Sequence, residues 1–432
     1  MSINLPPINA SNANGAMNQA SSAFAATADA IGARLCRDAL WAGTRCNWLG
    51  ASMEFVDNAW AVVQRTFGPE LYNGTTGIAL FLAYLFEATG ERLYRTTAEG
   101  AIRQALSRLE DINPATRAGL YTGLMGIAYT LLQMGEIFDD QEFIERALHI
   151  AETIIKEDPE QQELDVLAGI AGCIPALLYM HRRYPADYLL DLATRYGDRL
   201  LETARKSEYG YSWNTIEGFS QHDLTGFSHG AAGIAWSLLE LFSVTQQERF
   251  LAGASRGFLY ERHWFSPQHG NWPDFRSFHT PAPEGDERLN YTTAWCHGAP
   301  GIGLSRLRAY QLTGEAIYRD EAEAALHTTA QMLHQAIYTN QGNYSLCHGN
   351  AGNAELLLYA SHVLSNTDYM VMAEQVGSQG IEQHQKSAVP WACGVPGGGE
   401  TPNLLLGLAG IGYFYLRLSD PLHYPSVMII VP

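Results

Sequence analysis

Three short segments bring together residue types that can hold a metal and move a proton: Phe227-Ser228-His229-Gly230, Trp295-Cys296-His297-Gly298 and Leu346-Cys347-His348-Gly349. Two cysteines and a histidine make a three-ligand set for Zn²⁺ that leaves the fourth tetrahedral position open, the pattern of a catalytic rather than a structural site. Cys347 and His348 are chain neighbours, so both can ligate only from a turn, and the start of a helix provides one. Helix N-terminal dipoles also favour thiolates and lower their pKa. A cysteine taken alone is usually a small buried hydrophobe; two Cys-His-Gly triplets in matching contexts argue against that for Cys296 and Cys347. Cys36, Cys46 and Cys173 have no such context and are expected in the core, while Cys393, before a glycine cluster, is a further candidate ligand.

The element that must position these residues is a repeat. A Gly-x-x-Gly motif followed by an apolar run begins at Gly74, Gly123, Gly169, Gly230, Gly298, Gly349 and Gly407, at spacings of 49, 46, 61, 68, 51 and 58 residues. The runs, such as LFLAYLF and WSLLELF, are apolar nearly all round and predict helices buried on every side. Between them, segments such as 139–158 and 315–337 place apolar residues at three- and four-residue spacing opposite charges, which predicts amphipathic outer helices. A helix over about residues 28–42 is expected as the outer partner of the first repeat. One buried and one half-buried helix cannot stand alone, and seven such units in series close into a ring. The expected fold is therefore all-α, an (α/α)7 toroid: a double-layered barrel of seven inner and seven outer helices over residues 28–432, after a flexible segment, 1–27. The glycines then lie where helix ends crowd at one mouth and a Cβ would hold backbones apart. The longest spacings, after Gly169 and Gly230, imply insertions on one face. The second runs through 264–290, and long loops on a rigid scaffold often carry substrate contacts.

The composition agrees with a large core: 47% of the 432 residues are hydrophobic and 17% charged, and 41 are glycine. A net charge of −18 repels phosphate backbones and acidic membranes, which argues against nucleic-acid binding. Six cysteines in a chain this long are too few for a disulfide scaffold. No stretch is long and apolar enough for a membrane span, and the first residues lack the pattern of a signal peptide, so a soluble cytoplasmic protein is expected.

The sequence resembles the lanthionine synthetase C-like cyclases, and among them the cyclase half of class II lanthipeptide synthetases. The matching stretches are LYNGTTGIALFLAYL at 71–85, Ser228-His229-Gly230, WCHGAPGIG from Trp295, SLCHGNAGN from Ser345 and LGLAGIGYFYLRL from Leu406. From this resemblance, the family's zinc ligands fall on Cys296, Cys347 and His348, and its acid–base residues on His229 and on Asp165 of LDVLAGIAG. The implied reaction adds a peptide cysteine thiol to a dehydroalanine or dehydrobutyrine, forming the thioether rings of a lanthipeptide. The implied partners are a dehydrated precursor peptide and a dehydratase, on a separate protein or another domain. Zinc would keep the thiol deprotonated and nucleophilic, His229 would protonate Cα, and Asp165 would orient or charge His229. His297 follows a ligand and is either a supporting group or an alternative acid.

Relatives that act as separate cyclases can carry an arginine near 291–294; this chain reads Tyr-Thr-Thr-Ala there, leaving that role vacant or to Arg288 or another residue. Asn73 stands where an aspartate is common. A zinc prenyltransferase subunit would share the α/α barrel but has an Asp, Cys and His ligand set without the doubled Cys-His-Gly. A second alternative is a zinc-containing family member that does not cyclise, acting as a peptide- or protein-binding scaffold or adding glutathione.

Overall fold

The structure, a computed structural model, describes residues 10–56, 59–216, 220, 222–276 and 289–432. Among these, the helices in chain order are α1 (Ala10–Arg37), α2 (Thr75–Thr89), α3 (Arg92–Leu106), α4 (Leu124–Phe138), α5 (Gln141–Ile154), α6 (Ile170–Arg183) and α7 (Asp187–Thr203). They continue as α8 (Ala231–Thr245), α9 (Glu248–Trp264), α10 (Ala299–Thr313), α11 (Ala316–Thr339), α12 (Asn350–Val363), α13 (Thr367–Gly380) and α14 (Leu408–Ser419). The even-numbered helices are the seven apolar runs. They form the inner layer, and α2 to α12 each pack against the odd-numbered helix that follows. The expected (α/α)7 toroid is the fold observed.

Ring closure differs from the expectation. The N-terminal helix is the outer partner of the last inner helix, α14, rather than of the first. It also starts earlier, so the boundary expected between residues 27 and 28 falls inside α1. Phe24 is 1% exposed, its ring centroid lies 6.0 Å from that of Tyr415, and Ser21 Oγ donates to the Ser419 carbonyl. Two ends of the chain thus close the barrel on each other, which a pattern repeated within the chain cannot reveal. Phe24→Ala should cost about 3–5 kcal/mol, read as a lower midpoint in denaturant with an unchanged slope; a loss under about 1 kcal/mol would show that α1 is not part of the core.

The first glycine of every motif immediately precedes an inner helix, as expected. The second glycine is crowded by the neighbouring repeat, as expected, with Leu71 Cβ 2.9 Å from a Cβ placed on Gly126 and Val166 Cγ2 2.6 Å from one on Gly233, and its own loop lies closer still. A Cβ on Gly126, Gly233 or Gly352 would sit 2.0, 2.0 or 1.7 Å from the carbonyl oxygen six residues earlier in its own loop. Each loop folds back onto its own first turn, and only hydrogen fits between.

The helix expected over 28–42 ends at Arg37, and the chain continues into hairpin β1 (Leu40–Ala42)–β2 (Arg45–Asn47), which turns at Gly43 with φ 63°. A longer hairpin, β3 (Leu49–Val56)–β4 (Ala59–Thr66), and a short one, β5 (Arg205–Ser207)–β6 (Gly210–Ser212), are likewise absent from the sequence expectation. After α14 the last residues turn inward, burying Met428, Ile429 and Ile430. Tyr121 Oη donates to the Val427 carbonyl at 2.7 Å and Trp295 Nε1 to that of Met428 at 2.8 Å, so the C-terminal segment packs inside the barrel behind the loops at its mouth. Among the described residues no helix is long and apolar enough to cross a membrane.

Candidate functional site

The mouth is built from seven loops, each ending at the first turn of an inner helix. In six of them the first helical N–H is satisfied by the carbonyl seven residues upstream: Thr75 to Gly68, Leu124 to Arg117, Ile170 to Glu163, Ala231 to Leu224, Asn350 to Asn343 and Leu408 to Thr401. That bond stands in for the side-chain cap that glycine lacks. The loop before α10 is different, since Ala299 N–H donates to Asn271 Oδ1 at 2.9 Å and Gly298 adopts φ 92°. Asn271 belongs to the long insertion, whose residues 277–288 lie outside the described ones.

Two residues before each motif's first glycine lies the member of a second, larger ring: Tyr72, Tyr121, Leu167, Ser228, Cys296, Cys347 and Leu405. Backbone hydrogen bonds join successive members, N–H to carbonyl, from Tyr72 to Tyr121, Tyr121 to Leu167, Leu167 to Ser228, Ser228 to Cys296, Cys347 to Leu405 and Leu405 back to Tyr72, at 2.8–3.2 Å. Among the described residues no backbone bond joins Cys296 to Cys347. The two cysteines flank the one step at which this ring is not closed by main chain.

Their thiols are near neighbours there, each the largest single influence on the other's acidity. Cys296 gives up its proton first: an S–H bond from Cys347 and the positive charges of Arg276 and His229 outweigh burial. Cys347 is held protonated, chiefly by the adjacent Cys296 and then by burial. The Tyr72 hydroxyl lies near Cys347, and burial above all keeps the phenol protonated. The His348 ring is anchored by Nε2, 2.9 Å from the Gly394 carbonyl, which leaves Nδ1 with the lone pair. Burial, then Arg276, lowers its pKa. As placed, no three His, Cys, Asp or Glu side chains among the described residues form a ready metal cage; what is assembled is the thiol pair, with His348 on the same turn as one of its members.

Beside the thiols, His229 Nδ1 stands 2.5 Å from Asp165 Oδ2, leaving Nε2 as the nitrogen able to exchange a proton with a ligand. Asp165 is itself held by Ala168 N–H on Oδ1 at 2.6 Å. Burial opposes a charge on His229, but the carboxylate's charge and hydrogen bond outweigh it and raise the pKa. His297 stacks near it, ring centroids 5.8 Å apart. It differs in access: the His297 side chain is 1% exposed and that of His229 18%. Burial, then Arg276, drives His297 down to about 3. Its Nδ1 lies 3.8 Å from Asp274, which burial would raise but the Arg276 bond and the neighbouring positive charges hold down to about 2. Arg276 clamps Asp274 through Nε at 2.9 Å and Nη2 at 2.7 Å.

The structure therefore brings together Cys296, Cys347, His229, Asp165 and His297, and sets His348 alongside. Cys393 is apart, its Sγ 3.9 Å from the Thr401 carbonyl and pushed up to about 12 by burial. Arg288 lies outside the described residues. Two residues at the mouth were missed. Tyr72 was visible in principle, since it occupies the same place in its repeat as the two cysteines. Arg276 was not, because it sits in the insertion, out of register with every motif, and only folding turns its charge toward the thiols.

Residues 66–429 match the family described as lanthionine synthetase C-like protein. The chain is 22% identical over 366 residues to Glutathione S-transferase LANCL1 of Danio rerio, covering 81% of this chain and 82% of that protein. It is 24% identical over 322 residues to the nisin biosynthesis protein NisC of Lactococcus lactis subsp. lactis, covering 69% and 75%. With the lacticin 481/lactococcin biosynthesis protein LcnDR2 of the same organism it shares 22% over 395 residues, 86% of this chain but 38% of that longer protein. The solved structure of nisin cyclase superposes with a TM-score of 0.57 at 19% identity, over 82% of this chain and 89% of that one, which shows a common fold.

Proposed function

Because the chain belongs to the lanthionine synthetase C-like family, we propose that it is a zinc-dependent peptide cyclase, adding cysteine thiols of a dehydrated precursor peptide to dehydroalanine or dehydrobutyrine. The observation that carries this is the convergence at one mouth of the Cys296–Cys347 thiol pair with the His229–Asp165 pair. The donor chemistry fits zinc: two neighbouring thiols, one readily deprotonated, and a histidine whose anchored Nε2 frees Nδ1. Bound by Cys296, Cys347 and His348, zinc would supply a Lewis acid that keeps the substrate thiol ionised at neutral pH.

The remaining work falls to the chain. The substrate thiol releases its proton to solvent, its sulfur bonds to Cβ, the Cα=Cβ π pair moves toward the neighbouring carbonyl, and the resulting enolate takes up a proton at Cα. His229, whose imidazolium form Asp165 favours and whose ring is open to the mouth, gives that proton from Nε2 and regains one from solvent. His297 is sealed and supports rather than donates. Arg276, fixed by Asp274, lowers the cost of negative charge where the enolate forms. No atoms are lost, so ring formation leaves peptide mass unchanged and consumes one free thiol.

The test follows from that balance. After incubation of the zinc-loaded protein with a dehydrated, cysteine-containing peptide, alkylation and mass spectrometry should count fewer free thiols at unchanged mass; a constant thiol count would overturn the cyclase reading. Similarity to a protein named as a glutathione S-transferase favours one alternative, addition of glutathione by the same thiol chemistry. In that case a glutathione arm of the assay would show adducts of increased mass instead.

A further inference from the structure

The ring of backbone bonds around the mouth is interrupted where the two cysteines meet. We propose that a metal ion shared by Cys296 and Cys347 closes that step and thereby sets the position of the His229 loop, an inference that rests on the zinc reading above. Cys296 has two roles in this. Its thiol neighbours that of Cys347, and its carbonyl accepts three donors from the loop that carries His229: Phe227 N–H and Ser228 N–H, both at 3.2 Å, and Ser228 Oγ at 3.3 Å. The Ser228 carbonyl in turn accepts Val166 N–H and Leu167 N–H at 3.1 Å each, immediately after Asp165. Both members of the acid pair thus hang, through consecutive hydrogen bonds, on the backbone of one cysteine.

At every other step a main-chain hydrogen bond holds neighbouring loops in register. Between the Cys296 and Cys347 loops the two thiols are neighbours, and the hydrogen bond described there is at the flank, Asn353 Nδ2 donating to the Thr293 carbonyl at 3.0 Å. A metal joining the two sulfurs replaces the missing link with bonds far stronger than a net hydrogen bond of about 1 kcal/mol. Metal loading then does more than activate a thiol, because it orders the loop from which the proton is given.

Hydrogen exchange read by mass spectrometry on the full chain, zinc-loaded and chelator-stripped, tests this. Peptides covering 224–230, 294–298 and 345–349 should exchange about tenfold faster after stripping, while those covering 70–74 and 119–123 should not change. Stoichiometric zinc with no local change on removal, or an equal change at all seven loops, would overturn the proposal. A chain that takes up no zinc would instead overturn the metal reading on which it rests. In Asn353→Ala, which removes the flanking link, zinc should raise Tm by more than it does in the unaltered chain; an equal rise would count against the closure.

Discussion

Cys347→Ala is expected to abolish stoichiometric zinc and to slow cyclisation at least about 10³-fold, equivalent to roughly 4 kcal/mol of barrier. The thiol it removes neighbours Cys296 and belongs to the residue before His348, so its loss leaves one sulfur and one imidazole. Two ligands do not hold zinc at the concentrations an enzyme sees. Helical content should persist, because the change removes one sulfur from the loop before α12 and leaves the inner helices themselves unaltered. Metal analysis, circular dichroism and the thiol-alkylation assay on one sample separate these effects. Retention of both zinc and cyclisation would remove Cys347 from the site.

His229→Ala should do the opposite to the metal: zinc stays and turnover falls by about 10²–10⁴-fold, the usual worth of a positioned acid. The pH profile gives a second check with a defined sign. The proposed acid is the His229 imidazolium, so activity should be present at lower pH and decline as pH rises through the raised pKa of this residue. Asp165 raises it most, Cys296 adds to it, and Arg276 opposes; the His297 ring stacked against it is neutral in this range, and Glu163 lies nearby. Asp165→Asn removes the largest favourable contribution and should move the alkaline limb to lower pH while leaving zinc in place. An unmoved limb would assign the titration to another group, and loss of zinc from His229→Ala would make that histidine a ligand.

Much of this architecture was legible because it is periodic. Seven glycine motifs, each with an apolar run, report seven buried helices, and the matching placement of Cys296 and Cys347 ahead of their glycines reports that both point to one mouth. The same register contained Tyr72, which passed unnoticed because tyrosine in an apolar repeat looks like core. Asp165 came only through the family resemblance: in the chain it lies 64 residues from the histidine it pairs with, and a carboxylate near a helix start has an ordinary electrostatic use.

What lies outside the repeat was decided by folding. The closure of α1 against α14, the C-terminal segment within the barrel and the Asn271 bond that stands in for a loop carbonyl before α10 each join distant segments once, with no second copy to mark them. Arg276 belongs with these, an insertion residue whose charge reaches the thiols only because Asp274 clamps it there. The sequence by itself therefore determined the ring, its two layers and the register that brings two cysteines together, since local pattern repeated seven times specifies a local unit and its stacking. The tertiary structure alone decided where that ring closes, which charges surround the thiols and that main-chain bonding stops between them, because these depend on single long-range contacts.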